Sequence, residues 1–164
     1  MTCTIHYEDL VQSVADGLQH ISFYHSPDFI QHMARAYERE QSPAAKDAIA
    51  QILTNSRMCA EGHRPLCQDT GIVNVFMKIG MDVRWEGFGP NSIADAVNEG
   101  VRRAYMNADN PLRASVLSDP IFGRKNTKDN TPAVIHMEVV PGSRVDVTVA
   151  AKGGGSENKS KMAM

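Results

Sequence analysis

Along the first third of the chain, apolar residues recur with a helical period. Leu10, Val11, Val14, Leu18 and Ile21 form one stripe across residues 8–21, with polar residues between them. Ser26-Pro27 then supplies an N-cap and a first-turn proline, and Phe29, Ile30, Met33, Ala34 and Tyr37 mark the apolar face of a second helix. Ser42-Pro43 repeats the start signal, and Ala45, Ala48, Ile49, Ile52 and Leu53 predict a third helix to about Met58. The period is lost from Cys59 to Thr70, where Gly62 and Pro65 mark a loop. It returns as alternation: Val73, Val75, Met77 and Ile79 interleave with Asn74, Phe76 and Lys78, which predicts a strand over Ile72–Ile79. Trp85 to Pro90 reads as a turn, and Asn91 as the cap of a fourth helix that buries Ile93, Val97, Val101, Ala104 and Tyr105. Residues 107–130 have no period, and a connection of that length is usually functional or disordered. Ala133–Val140 and Arg144–Ala150 alternate again around Pro141-Gly142, a pair suited to the centre of a type II turn. They predict an antiparallel hairpin with Ile135, Met137 and Val139 on one buried face and Val145, Val147 and Val149 on the other. The pattern as a whole predicts an α/β chain of the α+β type, with an N-terminal helical layer packed on a mostly antiparallel sheet.

Size and charge narrow the class. A chain of 164 residues suits one domain with a sizeable core, or part of a larger enzyme. With 42% apolar and 22% charged residues, the composition is that of an ordinary soluble globular protein. A formal charge of −2 argues against a nucleic-acid or membrane-surface role, either of which favours excess Lys and Arg. No apolar run approaches the roughly 20 residues that span a bilayer. With His6, Glu8 and Asp9 soon after Met1, the N-terminus lacks the basic and then apolar regions of a secretory signal, so the expected location is the cytoplasm. The three cysteines, Cys3, Cys59 and Cys67, cannot all pair, and in a reducing compartment no disulfide framework is expected. Their spacing matches no zinc motif, so the sequence supplies no complete metal site of its own.

Three stretches carry chemistry. Arg64-Pro65-Leu66-Cys67-Gln68-Asp69-Thr70-Gly71 sets a thiol, an amide, a carboxylate and a hydroxyl side by side, just before the first predicted strand. Cys67 can be read as a small buried hydrophobe beside turn residues, as a nucleophile helped by a base such as His63, or as a thiolate ligand completed from elsewhere. The second stretch runs from Lys152 through Gly153-Gly154-Gly155-Ser156-Glu157-Asn158-Lys159-Ser160 to Lys161. Consecutive glycines lose much backbone entropy on folding, and their use is close approach of N–H groups to an anion. The run nearly matches a nucleotide-binding P-loop: Gly153 and Lys159-Ser160 fit, while Asn158 stands at the second glycine. A hairpin precedes it, however, where a P-loop follows a strand of a parallel α/β unit. A flexible linker is the other reading. The third stretch, Pro111-Leu112-Arg113-Ala114-Ser115, presents an arginine, the preferred bidentate partner of a carboxylate, although one loop arginine can simply be solvated. His136 reads as structural, and the nine methionines as core filler.

Taken in order, Cys67-Gln68-Asp69-Thr70-Gly71, Pro111-Leu112-Arg113-Ala114-Ser115, Asn126-Thr127 with Asn130-Thr131-Pro132, and Lys152 to Lys159 resemble the N-terminal part of class I fumarate hydratase. This is the oxygen-sensitive iron–sulfur fumarase, and the alpha subunit of tartrate dehydratase is a close relative. The similarity runs through nearly the whole chain. It implies one fumarase-type domain over residues 1–164, truncated at its C-terminus, where Met162, Ala163 and Met164 read as the opening of a further helix. It implies a 4Fe-4S cluster held by three cysteines with one iron open to substrate. Cys67 matches the first ligand, and the family's other two lie beyond the last residue, so one of three is present; Cys3 and Cys59 match no motif position. By the same resemblance Gln68, Asp69, Arg113, Gly153, Ser156, Glu157, Asn158, Lys159, Ser160, Lys161 and Met162 contact a dicarboxylate substrate. Asp69 does acid–base work there or orients the group that does. The implied reaction is reversible hydration of fumarate to (S)-malate, a tricarboxylic acid cycle step, with tartrate or methylfumarate dehydration as the within-family alternatives. A homodimer and the missing C-terminal part of the enzyme are the implied partners, and these residues alone are expected to be inactive. A nucleotide-binding module built on the glycine-rich loop and a non-catalytic partner-binding domain are the readings from other classes.

Overall fold

The computed structural model describes residues 3–67, 71–153 and 161, which form two compact units. The first holds residues up to Gln19 and from Gln68 onward, and the second holds His20–Cys67. In chain order the elements are β1 (Cys3–His6), α1 (Tyr7–Phe23), α2 (Pro27–Arg39), α3 (Pro43–Gly62), β2 (Ile72–Gly80), β3 (Val83–Glu86), α4 (Ile93–Tyr105), β4 (Val134–Val140) and β5 (Val145–Lys152). Helices and a mixed sheet make this an α+β protein, as the sequence pattern predicts. No helix among the described residues is long and apolar enough to cross a membrane.

In the first unit, β2 is the central strand of a three-stranded sheet ordered β4-β2-β5. It pairs parallel with β4, from Asn74 opposite Val134 to Gly80 opposite Val140, and antiparallel with β5, from Ile72 opposite Lys152 to Ile79 opposite Val145. The alternation along β2 buries Val73, Val75 and Met77 on one face. The rest of the core comes from Leu10, Val11, Val14, Ala15 and Leu18 of α1 and from Ala96, Val97, Val101, Ala104 and Tyr105 of α4. These helices cross closely at Gly100, where a Cβ would lie 2.6 Å from the Val11 carbonyl oxygen and 2.7 Å from Val14 Cβ. An ionic clamp adds to the crossing: Arg103 pairs with Glu8 at the start of α1 and, at 2.8 Å, with Glu99, which Arg102 also holds at 2.6 Å. In the second unit α2 and α3 pack against each other, and the buried Ser56 hydroxyl lies 3.1 Å from His25 Nδ1.

Four expectations change. The strands around Pro141-Gly142 do not pair with each other, because β2 lies between them. Their connection instead wraps the end of β2: the backbone amides of Gly80, Met81 and Asp82 donate to the carbonyls of Arg144, Val140 and Gly142 at 2.8–2.9 Å. The inward face expected on β4 is also open, with Met137 52% and Val139 67% exposed. The helix-capping residue is Ser92, one position beyond Asn91, with a reciprocal Ser92–Asp95 capping box. Lastly, the chain between β2 and α4 contains β3, which pairs parallel with the unforeseen β1 in a separate two-stranded sheet.

Candidate active site

The described part of the site is assembled at the end of the sheet where β2 begins and β5 ends. Gly71 enters β2 with φ +58, and a Cβ there would lie 1.7 Å from the Lys152 carbonyl oxygen and 2.6 Å from Gly153 Cα. No side chain fits that approach, so the last residue of the cysteine motif lies directly against the first residues of the glycine-rich run. Gly153 itself is buried.

The long loop joins the same corner through Asn130. This residue is 0% exposed and holds a left-handed backbone, φ 62, a conformation that asparagine tolerates better than most residues. Its Nδ2 donates to the Gly71 carbonyl at 3.0 Å, while its Oδ1 accepts from the amides of Ser115 at 2.7 Å and Val116 at 3.1 Å. Asn126 does similar work nearby, its Nδ2 donating to the Ala114 carbonyl at 2.7 Å. The Thr127 amide donates to the Val116 carbonyl at 3.0 Å. On the α1 side, Gln19 Nε2 donates to the Asn110 carbonyl at 3.0 Å, and Asn110 Nδ2 returns a bond to Gln19 Oε1 at 2.8 Å. Residues 107–130 are therefore ordered by amide side chains. Arg113 is exposed on this loop, between the buried Leu112 and the backbone that Asn126 and Asn130 hold. The Thr127 hydroxyl lies buried in the same loop and has no hydrogen-bond partner among the described residues.

Cys67 is exposed and closes the second unit. The chain leading to it is fixed residue by residue. His63 caps α3 in a left-handed conformation, with its ring stacked on Phe23 at 5.1 Å and its Nε2 3.4 Å from the Tyr24 hydroxyl. The Leu66 amide donates to the Ser22 carbonyl at 2.8 Å, and the Leu66 carbonyl accepts from Asn55 Nδ2 at 3.3 Å. Cys59 is a structural thiol, buried with Sγ 3.6 Å from the Pro65 carbonyl oxygen. An exposed thiol is the right kind of donor for an iron–sulfur cluster. Among the described residues, however, no three His, Cys, Asp or Glu side chains gather into a metal-holding group. Those residues thus offer one ligand, which is not a complete cluster site.

Of the expected substrate contacts, Arg113, Gly153 and the exposed Lys161 lie within the described residues. Gln68, Asp69, Ser156, Glu157, Asn158, Lys159, Ser160 and Met162 lie outside them. The first unit brings together Gly71, Gly153 and the loop that bears Arg113. The strand before the glycine-rich run is antiparallel to its neighbour, unlike the parallel setting of a P-loop. Asn130 was visible in the sequence as part of a motif, but nothing there marked it as the residue that joins the others.

Residues 11–164 match the family described as fumarate hydratase (Fumerase), and the chain belongs to that family. Among its relatives is a Methanocaldococcus jannaschii protein assigned by name as an L(+)-tartrate dehydratase subunit alpha. The two are 30% identical over 156 residues, which covers 92% of this chain and 53% of that protein. The anaerobic class I fumarate hydratase of Escherichia coli K12 is 34% identical over 124 residues, 76% of this chain and 22% of that enzyme. The aerobic form is 36% identical over 121 residues, 74% of this chain and 21% of the enzyme. The chain thus spans about half the length of the tartrate dehydratase relative and about a fifth of the fumarate hydratases.

Proposed function

We propose that this chain is the N-terminal part of a hydro-lyase that interconverts fumarate and (S)-malate. The observation that carries the reading is the convergence, through Gly71 and Asn130, of the cysteine motif's last residue, the Arg113 loop and the start of the glycine-rich run. Family membership supports it. In this reading the Arg113 guanidinium holds one substrate carboxylate in a bidentate pair. Gly153, the residues Ser156 to Met162 and the charges of Lys159 and Lys161 hold the other. There they stabilise the negative charge that develops on the carboxylate beside the carbon losing its proton. Gln68 contacts substrate from the cysteine loop, and Asp69 holds or orients the transferred proton. Cys67 ligates one iron of a 4Fe-4S cluster, which when bound supplies a Lewis acid for the departing hydroxyl. Further thiolates are needed for such a cluster, so residues 1–164 are expected to be inactive alone. The reading carries a homodimer in the cytoplasm, serving the tricarboxylic acid cycle.

The test is anaerobic reconstitution of the full-length parent with iron and sulfide, followed by fumarate hydration assays. Cys67→Ser should lose both the cluster's visible absorption and hydration. A Cys67→Ser protein with a complete cluster and normal hydration ends this reading. A second substrate, L(+)-tartrate, is favoured by one observation: the tartrate dehydratase relative aligns over 92% of the chain. Comparing kcat/KM for the two acids on the same preparation decides between them.

A further inference from the structure

We propose that Asn130 is a positioning residue for this reaction, setting the geometry of the Arg113 loop against the start of β2. The inference rests on the hydro-lyase reading and adds a residue that touches no substrate. One side chain satisfies three backbone groups from two distant stretches: the Gly71 carbonyl and the amides of Ser115 and Val116. Gly71 closes the motif that contains Gln68 and Asp69, and Ser115 lies two residues after Arg113. The entry to β2 at Gly71 and the loop that bears Arg113 therefore take their spacing from a single carboxamide. Aspartate keeps the two acceptor bonds and tolerates the left-handed backbone, but as an anion it has no proton to donate and faces the Gly71 carbonyl with negative charge. Glycine keeps the backbone conformation and loses all three bonds, leaving a buried carbonyl and two amides without this partner.

The asymmetry between these substitutions provides the test. It uses the full-length reconstituted enzyme, with kcat and KM for fumarate hydration measured against pH, cluster absorbance, and hydrogen exchange at Ser115 and Val116. Asn130→Gly should keep its cluster, lose amide protection at Ser115 and Val116, and raise KM about tenfold or more, with a smaller change in kcat. Asn130→Asp should resemble it at alkaline pH. As pH falls and the new carboxyl gains a proton, it can again donate to the Gly71 carbonyl, so its KM should return toward that of the parent. Parent-like KM in both variants across the pH range, or equal losses in both with no recovery at low pH, overturns the positioning role while leaving the hydro-lyase reading intact. A parent enzyme that hydrates fumarate and dehydrates L(+)-tartrate at no measurable rate overturns both.

Discussion

At the scale of single residues, the described site depends on contacts with no room for substitution. Gly71→Ala combines a disfavoured backbone conformation with a Cβ 1.7 Å from the Lys152 carbonyl oxygen. We expect it to destabilise the protein by roughly 3 kcal/mol or more, read as a lower urea midpoint. An unchanged midpoint would mean that the start of β2 and the end of β5 do not approach as described. The sequence sets a thiol, an amide, a carboxylate and a hydroxyl side by side at Cys67 to Thr70 and leaves the thiol open between packing, nucleophile and ligand; its exposure in the structure removes the packing reading. The role of Asn130 was not. Its three bonds reach Gly71, Ser115 and Val116, and sequence spacing holds no information about which backbone groups a folded loop leaves unsatisfied. Cys59 shows the converse: the sequence could not tell its packing role from reactivity, and burial against Pro65 resolves it.

At the scale of elements, helices were read well and strand partners poorly. Amphipathic stripes are local, so α1 to α4 follow from apolar spacing and from the Ser-Pro starts of α2 and α3. Strand pairing is non-local, and a proline-glycine turn between two alternating runs reads as a hairpin until a third strand claims the edges. Here β2 takes both edges, and the turn spends its carbonyls on Gly80, Met81 and Asp82. The strands β1 and β3, four residues each, are too short to show a period. The crossing of α1 with α4 makes a prediction in which two effects compete. Alanine is a better helix former than glycine by about 1 kcal/mol, but at position 100 its methyl meets a backbone oxygen at 2.6 Å. Overpacking against backbone wins, so Gly100→Ala should lower stability by about 1–3 kcal/mol in urea denaturation. A stabilised variant would show that the two helices separate easily.

At the scale of the whole molecule, the carboxylate clamped at the crossing of α1 and α4 ties stability to pH. Hydrogen bonding from Arg102, reinforced by Arg103, holds the Glu99 carboxyl down from its ordinary 4.5 to about 2. A depressed carboxylate contributes stability above its unfolded value and loses it as pH falls through the folded one. The clamp should therefore weaken from about pH 4.5 downward. Partial exposure keeps its contribution to roughly 1 kcal/mol. Glu99→Gln should flatten the fall of thermal midpoint over that range, and a parallel fall in both proteins would assign the acid sensitivity elsewhere. Fold class and family were legible at this scale because helix stripes and ordered motifs survive as sequence. The division into two units was not, since α1 runs unbroken through the boundary at Gln19 and His20.

The central position of β2 also has a consequence for synthesis. Its partners are encoded far downstream, with Asn74 paired to Val134 and Ile72 to Lys152. At a translation rate of roughly 5–20 residues per second, the apolar run Ile72–Ile79 leaves the ribosome several seconds before the strands that cover its edges. For that interval both edges of a central strand stand unpaired, and Val73, Val75 and Met77, which the finished protein buries, lack the strands that complete their sheet.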